Sequence, residues 1–486
     1  MSFTQLKQFP QLGYDCFLLL RRLGSGNRSQ NPGRFNDGHT ARSGLRYALL
    51  MATRLLALLL LLSVLLAAQT PPAAPTLKIP PAAQAGPGFN PEAATEAYLA
   101  MMTPEQKTRS DAYFEGGYWL ILWDFLYEAA ILILLLATGW AARMRDIAEY
   151  ITRRKPLVTW LYWAEFSIAL FVLGFPLAVY EGFLRERQYG LMNQTFGGWF
   201  GDQSKMLGVG IVLGGLMVMA LFGVIRRLPK TWHLWGTAVF VAFEAFFILI
   251  APVFIAPLFN KYTPLTDARI REPILRLARQ NGIPAKDVYE VDASRQSKRV
   301  SANVSGFLGT ERITLNDNLL NRCSPQAIMS VMGHEMGHYV LNHIYKMLAF
   351  MLILTAVFFA VLRWGLWWSL ARWGGRWEIR DVGDPAVLPL AALILSILFL
   401  VGTPVVNTLV RTQEFEADVF GLNTARQPDG EAEADLLLGE YRKMSPTPLE
   451  EFIFFDHPSG RTRIFTAMQW KAENQCLGTA VNPCGR

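Results

Sequence analysis

The run AVLPLAALILSILFLVGTPVVNTLV, Ala386 to Val410, carries no charged side chain. About 20 mostly apolar residues suffice for a helix to cross the hydrocarbon core of a bilayer, so this run reads as a membrane span. Working outward from it, five more runs meet the same test: Tyr118 to Ala142, Leu157 to Tyr180, Met206 to Ile225, His233 to Phe259, and Met347 to about Ala371. Of these, Met206 to Ile225 is also free of charge. The composition agrees, because 52% of the 486 residues are hydrophobic and only 17% charged. Soluble domains carry about 25% charged residues, which excludes both an ordinary soluble enzyme and a disordered chain.

A seventh run, Leu55 to Ala68, is short: its 14 residues reach roughly 21 Å as a helix. It follows Met51-Ala52-Thr53-Arg54 and precedes a Pro/Ala-rich stretch, Gln69 to Pro91. Those are the parts of a secretory signal peptide, with an uncleaved first helix as the alternative. On the first reading translation starts at Met51, and residues 1–50 are a misassigned start or a disordered tail.

Lys and Arg collect in alternate loops: Arg143, Arg145, Arg153, Arg154 and Lys155; then Arg226, Arg227 and Lys230; then Arg363, Arg372, Arg376 and Arg380. Positive charge marks the cytoplasmic face. Asn260 to Tyr345 and the tail after Arg411 therefore fall together on the extracytoplasmic side. The net charge of +7 is explained by these loops, and no recognition helix or aromatic and basic platform points to nucleic acid. Four cysteines make no CxxC motif. Cys476 and Cys484 are either a disulfide suited to an oxidising compartment or two free thiols.

The chemistry begins at Ser330-Val331-Met332-Gly333-His334-Glu335-Met336-Gly337-His338-Tyr339. Helical positions four apart differ by about 40° around the axis, so His334 and His338 share a face and can hold one Zn2+. Glu335 is placed to take a proton from water at the open coordination position. Gly333 and Gly337 cost helix stability and mark the close approach of another element. His343 lies nine residues from His334, about 180° around a continuous helix, and is read as an interfacial residue rather than a ligand.

A catalytic zinc needs a third protein ligand. Arg411-Thr412-Gln413-Glu414-Phe415-Glu416-Ala417-Asp418 supplies Glu414, with Asp418 on the same face as a carboxylate that orients a zinc-bound histidine. Glu416 points about 200° away from Glu414. Phe455-Asp456-His457-Pro458-Ser459-Gly460-Arg461-Thr462-Arg463 reads locally as a surface loop; the alternative, favoured by its position after the Glu414 segment, is His457 as a hydrogen-bond donor to the oxyanion, with Arg463 adding positive charge.

These elements resemble the type I CAAX prenyl proteases, the integral-membrane zinc metallopeptidases of the a-factor-converting and prelamin-processing type. The likeness covers roughly Tyr180 to Trp470. It also rests on two stretches without catalytic rationale, Glu186-Arg187-Gln188-Tyr189-Gly190-Leu191-Met192-Asn193-Gln194-Thr195 and Ala256-Pro257-Leu258-Phe259-Asn260-Lys261-Tyr262-Thr263-Pro264-Leu265. The resemblance implies about seven helices around a water-filled intramembrane chamber, capped by a zinc domain that cuts near a prenylated C-terminal cysteine. It implies His334, His338 and Glu414 as ligands, Glu335 as the base, and Asn303, in the hairpin-like stretch Ser301 to Leu315, as a contact to the substrate backbone.

Three features depart from the family. The chain has His457-Pro458-Ser459 where members commonly carry His-Pro-Pro, and Gln69 to Gly117 is unlike the family's. The eukaryotic enzymes work from the cytosolic side, whereas the positive charge here places the site outside the cytoplasm. Asp124, Glu128, Glu165 and Glu244 lie within spans, where carboxylates face a polar interior; a chamber wall, a transport path and interhelical hydrogen bonding all accommodate them.

The expected fold class is thus an all-α multi-pass membrane protein with a small α+β zinc metallopeptidase domain. In chain order it comprises an N-terminal extension at 1–50, a signal peptide or first span at 51–74, an extramembrane linker at 75–117 and four spans at 118–259. A peptidase domain with the HExxH helix follows at 260–346, then two spans at 347–410 and a C-terminal peptidase part at 411–486. The expected activity is cleavage of membrane-associated or prenylated peptides, with membrane lipids as surroundings. The rivals are a quality-control protease and a non-enzymatic transporter or receptor with a zinc site.

Overall fold

A computed structural model describes residues 75–305 and 311–474. Leu55 to Ala68, Cys476 and Cys484 lie outside the described residues. Helices dominate: α1 (Pro91–Leu99), α2 (Pro104–Ala137), α3 (Trp140–Ile151), α4 (Lys155–Val179), α5 (Phe196–Val209), α6 (Gly215–Arg227) and α7 (Trp232–Ile250) come first. A mixed segment follows, with β1 (Tyr262–Pro264), α8 (Ala268–Gln280), β2 (Val288–Val291), β3 (Ala302–Ser305), β4 (Arg312–Asn316), α9 (Asp317–Arg322) and α10 (Pro325–Val340). The chain ends with α11 (His343–Trp373), α12 (Leu388–Ala425), α13 (Pro428–Leu438), α14 (Pro448–Phe454) and α15 (Gly460–Asn474).

Six helical stretches are long and apolar enough to cross a membrane, and they coincide with the six runs read from sequence. Their most apolar windows are only 6% to 28% buried within the protein, so most of that surface needs an apolar surrounding. The helices outrun the apolar runs. Thr103 and Gln106 form a reciprocal cap that starts α2 well before Tyr118, and α12 continues fifteen residues past Val410, to Ala425. One boundary is corrected: the first span ends at Ala137, not Ala142, because Gly139 takes a positive φ of 74° and turns the chain into α3. The in-span carboxylates Asp124, Glu128, Glu165 and Glu244 are all half-buried.

The small sheet has the order β1-β2-β4-β3, with β2 and β4 parallel and the outer pairs antiparallel. Its core joins Ile313 and Leu315 to Ile274 on α8 and to Ile328, Met332 and Met336 on α10. β3 and β4 confirm the two strands read in Ser301 to Leu315; residues 306–310 between them lie outside the described residues.

The stretch 75–117 is not a plain linker. Asn90 caps α1, whose Ala94 and Tyr98, four apart, are fully buried with Ile464, Ala467 and Met468 of α15. Tyr98 donates to Asp429, and the buried Lys471 ammonium donates to Asp429 and to the Ala83 carbonyl. The Pro/Ala-rich composition suggested a spacer because this i,i+4 pair is too short a signal to read as an amphipathic helix.

Candidate metal centre

Ser324 caps α10 and Pro325 opens it, and the helix runs unbroken from there through Ser330 to Tyr339. α12 lies against it at backbone contact. A Cβ on Gly337 would stand 3.1 Å from Ala417 Cα, and one on Gly333 would stand 3.1 Å from the Gly421 carbonyl oxygen. The two glycines thus admit α12, and with it Glu414, to the histidine face.

His334 Nε2 and His338 Nε2 are 3.0 Å apart. Glu414 Oε2 lies 3.2 Å from His334 Nε2, and its Oε1 lies 3.5 Å from His338 Nε2. These ligand atoms all fall within 4.8 Å of one another. Glu414 Oε2 is buried yet accepts no hydrogen bond. Two imidazole nitrogens and a carboxylate oxygen converging this way fit a divalent metal, because each then finds the electron-pair acceptor that the protein does not provide.

The far nitrogens of both rings are engaged. His334 Nδ1 donates to Asp418 Oδ1 at 2.7 Å, which directs the Nε2 lone pair at the centre. Asp418 is thus paired with His334, the first histidine of the HExxH segment. Asp418 is itself held by Arg463, whose Nε and Nη2 donate to its two oxygens at 2.9 and 2.5 Å. The same guanidinium reaches Glu431 and Asp435, at 3.2 and 3.1 Å, and Ser330 of α10 donates to Glu431. All five residues are buried. Burial pushes the Asp435 carboxyl well up.

This corrects the reading of Arg463. Its guanidinium is consumed by three carboxylates behind His334, so it is a prop of Asp418 rather than a charge offered to an oxyanion.

His343 stands outside the group of converging His334, His338 and Glu414 atoms, and its placement differs from that of a continuous helix. α10 ends at Val340, Asn342 takes a left-handed φ of 58°, and His343 opens α11. The break swings the ring back, so that its Nδ1 lies 2.9 Å from His338 Nδ1. Its Nε2 is 3.0 Å from Glu416, which also pairs with Lys346 at 2.6 Å. With His338 Nδ1 donating to His343, and His343 Nε2 donating to Glu416, the His338 Nε2 lone pair faces the centre. The continuous-helix assumption hid this role, and only the Asn342 turn could have signalled it.

Glu335, half-buried, is flanked by both histidines in sequence, and burial raises its carboxyl above the usual range. His457 Nε2 is 3.2 Å from Glu414 Oε2, so this ring stands at the rim of the centre. Its Nδ1 is 2.8 Å from Asp456. Burial pushes the Asp456 carboxyl up, but the charge and hydrogen bond of the imidazole beside it, with the Arg442 guanidinium, together hold it low, at about 2. Ser459, the departure from His-Pro-Pro, accepts from the Thr462 N–H at the start of α15 and so takes a capping role. Asn303 is buried on β3, the outermost strand of the sheet, and β3 is paired only with β4 among the described residues.

The two stretches without catalytic rationale link spans to sheet. Asn193 donates to the carbonyls of Ser294 and Gln296, and Lys261 N–H donates to Asp292.

A bundle of spans bearing a histidine and carboxylate centre beside a small sheet defines an integral-membrane metallopeptidase. Residues 264–471 match the model of peptidase family M48, and residues 91–261 match that of the CAAX prenyl protease N-terminal region, described as five membrane helices. The chain belongs to the CAAX prenyl protease family. It is 30% identical over 301 residues to CAAX prenyl protease 1 homolog of Oryza sativa subsp. japonica, covering 58% of this chain and 67% of that one. It is 28% identical to CAAX prenyl protease 1 of Saccharomyces cerevisiae, over 62% of this chain and 69% of that one. An uncharacterized Bacillus subtilis metalloprotease, YhfN, is 29% identical over 75% of this chain and 86% of its own length. The crystal structure of S. mikatae Ste24p superposes with a TM-score of 0.64 at 22% identity, over 76% of this chain and 89% of that one. A metal cofactor and peptide or protein substrates follow from the family.

Proposed function

We propose that the metal is zinc, held by His334, His338 and Glu414, and that the chain is an endopeptidase for membrane-associated peptides, including prenylated ones. The convergence of these three ligands beside Glu335 carries the reading. Zinc, when bound, polarises the scissile carbonyl and lowers the pKa of bound water. Glu335 takes the proton from the attacking water and returns it to the leaving amine. His457, steadied by Asp456, donates toward the oxygen that gains negative charge. The outer edge of β3 accepts the substrate as an added strand, with Asn303 beside it. Main-chain pairing of this kind tolerates varied side chains.

The basic loops favour a cytoplasmic face opposite the peptidase body, so the site faces the extracytoplasmic side. That placement also favours a second reading, degradation of membrane or envelope proteins without a lipid requirement. The test compares cleavage of a prenylated peptide and its unprenylated counterpart by purified wild type and Glu335→Gln. Cutting by wild type alone, abolished by chelation, is expected. A Glu335→Gln protein as active as wild type refutes the mechanism, and equal cutting of both peptides selects the second reading. A compartment-sensitive reporter at the C-terminus checks the orientation.

A further inference from the structure

We infer that the gap between α2 and the end of α4 is a binding site for the phosphate headgroup of an anionic membrane lipid, with Arg185 as its anchor. The gap holds a cavity of about 390 Å³ walled by Trp119, Leu120 and Trp123 of α2 and by Leu177, Tyr180 and Arg185 of the facing segment. That volume lies within the roughly 300–1,000 Å³ of small-molecule sites.

Arg185 is the unusual member. It is 8% exposed, yet no described carboxylate pairs with it. The adjacent Glu186 is already taken by Arg299, at 2.9 Å, and by the Tyr113 hydroxyl. The guanidinium donates to the Tyr113 carbonyl and lies over two rings, 4.1 Å from the Tyr113 centroid and 5.6 Å from that of Tyr189. Stacked cations of this kind stay charged, and a buried charge without a counter-ion is costly. An anion entering the cavity removes that cost. Gly116 forms part of the floor, where a Cβ would stand 3.4 Å from the guanidinium.

Depth and wall chemistry point to a lipid rather than a free ion. The first turns of α2 touch the peptidase body, through Ser110 to the Arg442 carbonyl and Lys443 to Glu115. The cavity begins immediately beyond, where the span becomes apolar. Trp119, Trp123 and Tyr180 are 65%, 57% and 47% exposed, the arrangement of an aromatic belt at headgroup level. A phosphate at Arg185 leaves its acyl chains along these apolar walls, and a guanidinium at headgroup depth meets phosphate oxygens through its paired N–H donors.

The test titrates the purified full chain, in neutral detergent, with phosphatidylglycerol, phosphatidylcholine or inorganic phosphate, and counts adducts by native mass spectrometry. Wild type retains phosphatidylglycerol in preference to phosphatidylcholine. Arg185→Gln weakens that retention about tenfold, as expected for loss of a charge-assisted contact. Arg185→Lys keeps most of it, and Gly116→Leu, which fills the cavity floor against the guanidinium while leaving the charge in the chain, loses it. Should Arg185→Gln fail to fold, the last two variants decide. Glu335→Gln binds lipid as wild type does, which separates this site from the peptidase reading. Equal phosphatidylglycerol retention by wild type, Arg185→Gln and Gly116→Leu overturns the site. Inorganic phosphate bound as tightly as lipid overturns the lipid as its source. Arg185-dependent capture of a peptide C-terminal carboxylate, with no lipid retained, also overturns it.

Discussion

The two histidines of the metal centre are held from behind in opposite ways. Behind His334 stands a buried network, with Asp418, Arg463, Glu431 and Asp435 all nearly inaccessible. Behind His338 stands a relay that reaches water in two steps, from buried His343 to Glu416, whose side chain is 43% exposed, and Lys346 at 47%. In the first, every charge depends on the others, because none can be rehydrated without unfolding. In the second, solvent can replace a lost partner. The same task of fixing a ring and its tautomer is thus done once at high structural stakes and once at low stakes.

Removing Arg463 is expected to have the largest effect. Arg463→Ala leaves three buried carboxylates without their cation, and loss of about 3–5 kcal/mol is expected in thermal or denaturant unfolding. Arg463→Lys recovers little, since an ammonium lacks the planar fork that meets Asp418 with two nitrogens. Wild-type stability in Arg463→Ala would remove the contrast between the two sides. Asp418→Asn comes next: a loss of about 10–100-fold in metal affinity is expected in a chelator competition.

His343→Gln tests the other side. About tenfold weaker metal retention is expected, at the low end of such effects, with melting nearly unchanged. A larger loss than that of Asp418→Asn would reverse the ranking. The smallest effect belongs to Lys346→Ala, an exposed pair whose removal changes stability by less than about 1 kcal/mol.

Much of this centre was legible as spacing. His334 and His338 four apart, and Glu414 and Asp418 four apart, share faces on any α-helix, and both segments are helical. Glycines at 333 and 337 foretold a close neighbour, which is α12. What spacing hid depends on breaks and on contacts distant in sequence. The turn at Asn342 returns His343 to His338, against the 180° that a continuous helix implies. Arg463 lies 45 residues from Asp418 and could not be assigned to it by any local pattern. Asp456, Glu431 and Asp435 carried no signal beyond their charge.

The sequence by itself determined the six spans, because apolar length is a property of composition along one helix, and it placed His334 with His338 and Glu414 with Asp418 on shared faces, because helical periodicity is local. Tertiary structure alone decided which charges face one another. Arg463 became a buried prop, Arg185 a buried cation that no described carboxylate pairs with, and the stretch before α2 part of the peptidase core. Each outcome depends on how segments remote in sequence exclude water from a shared interior, and excluded water is what gives those charges their roles.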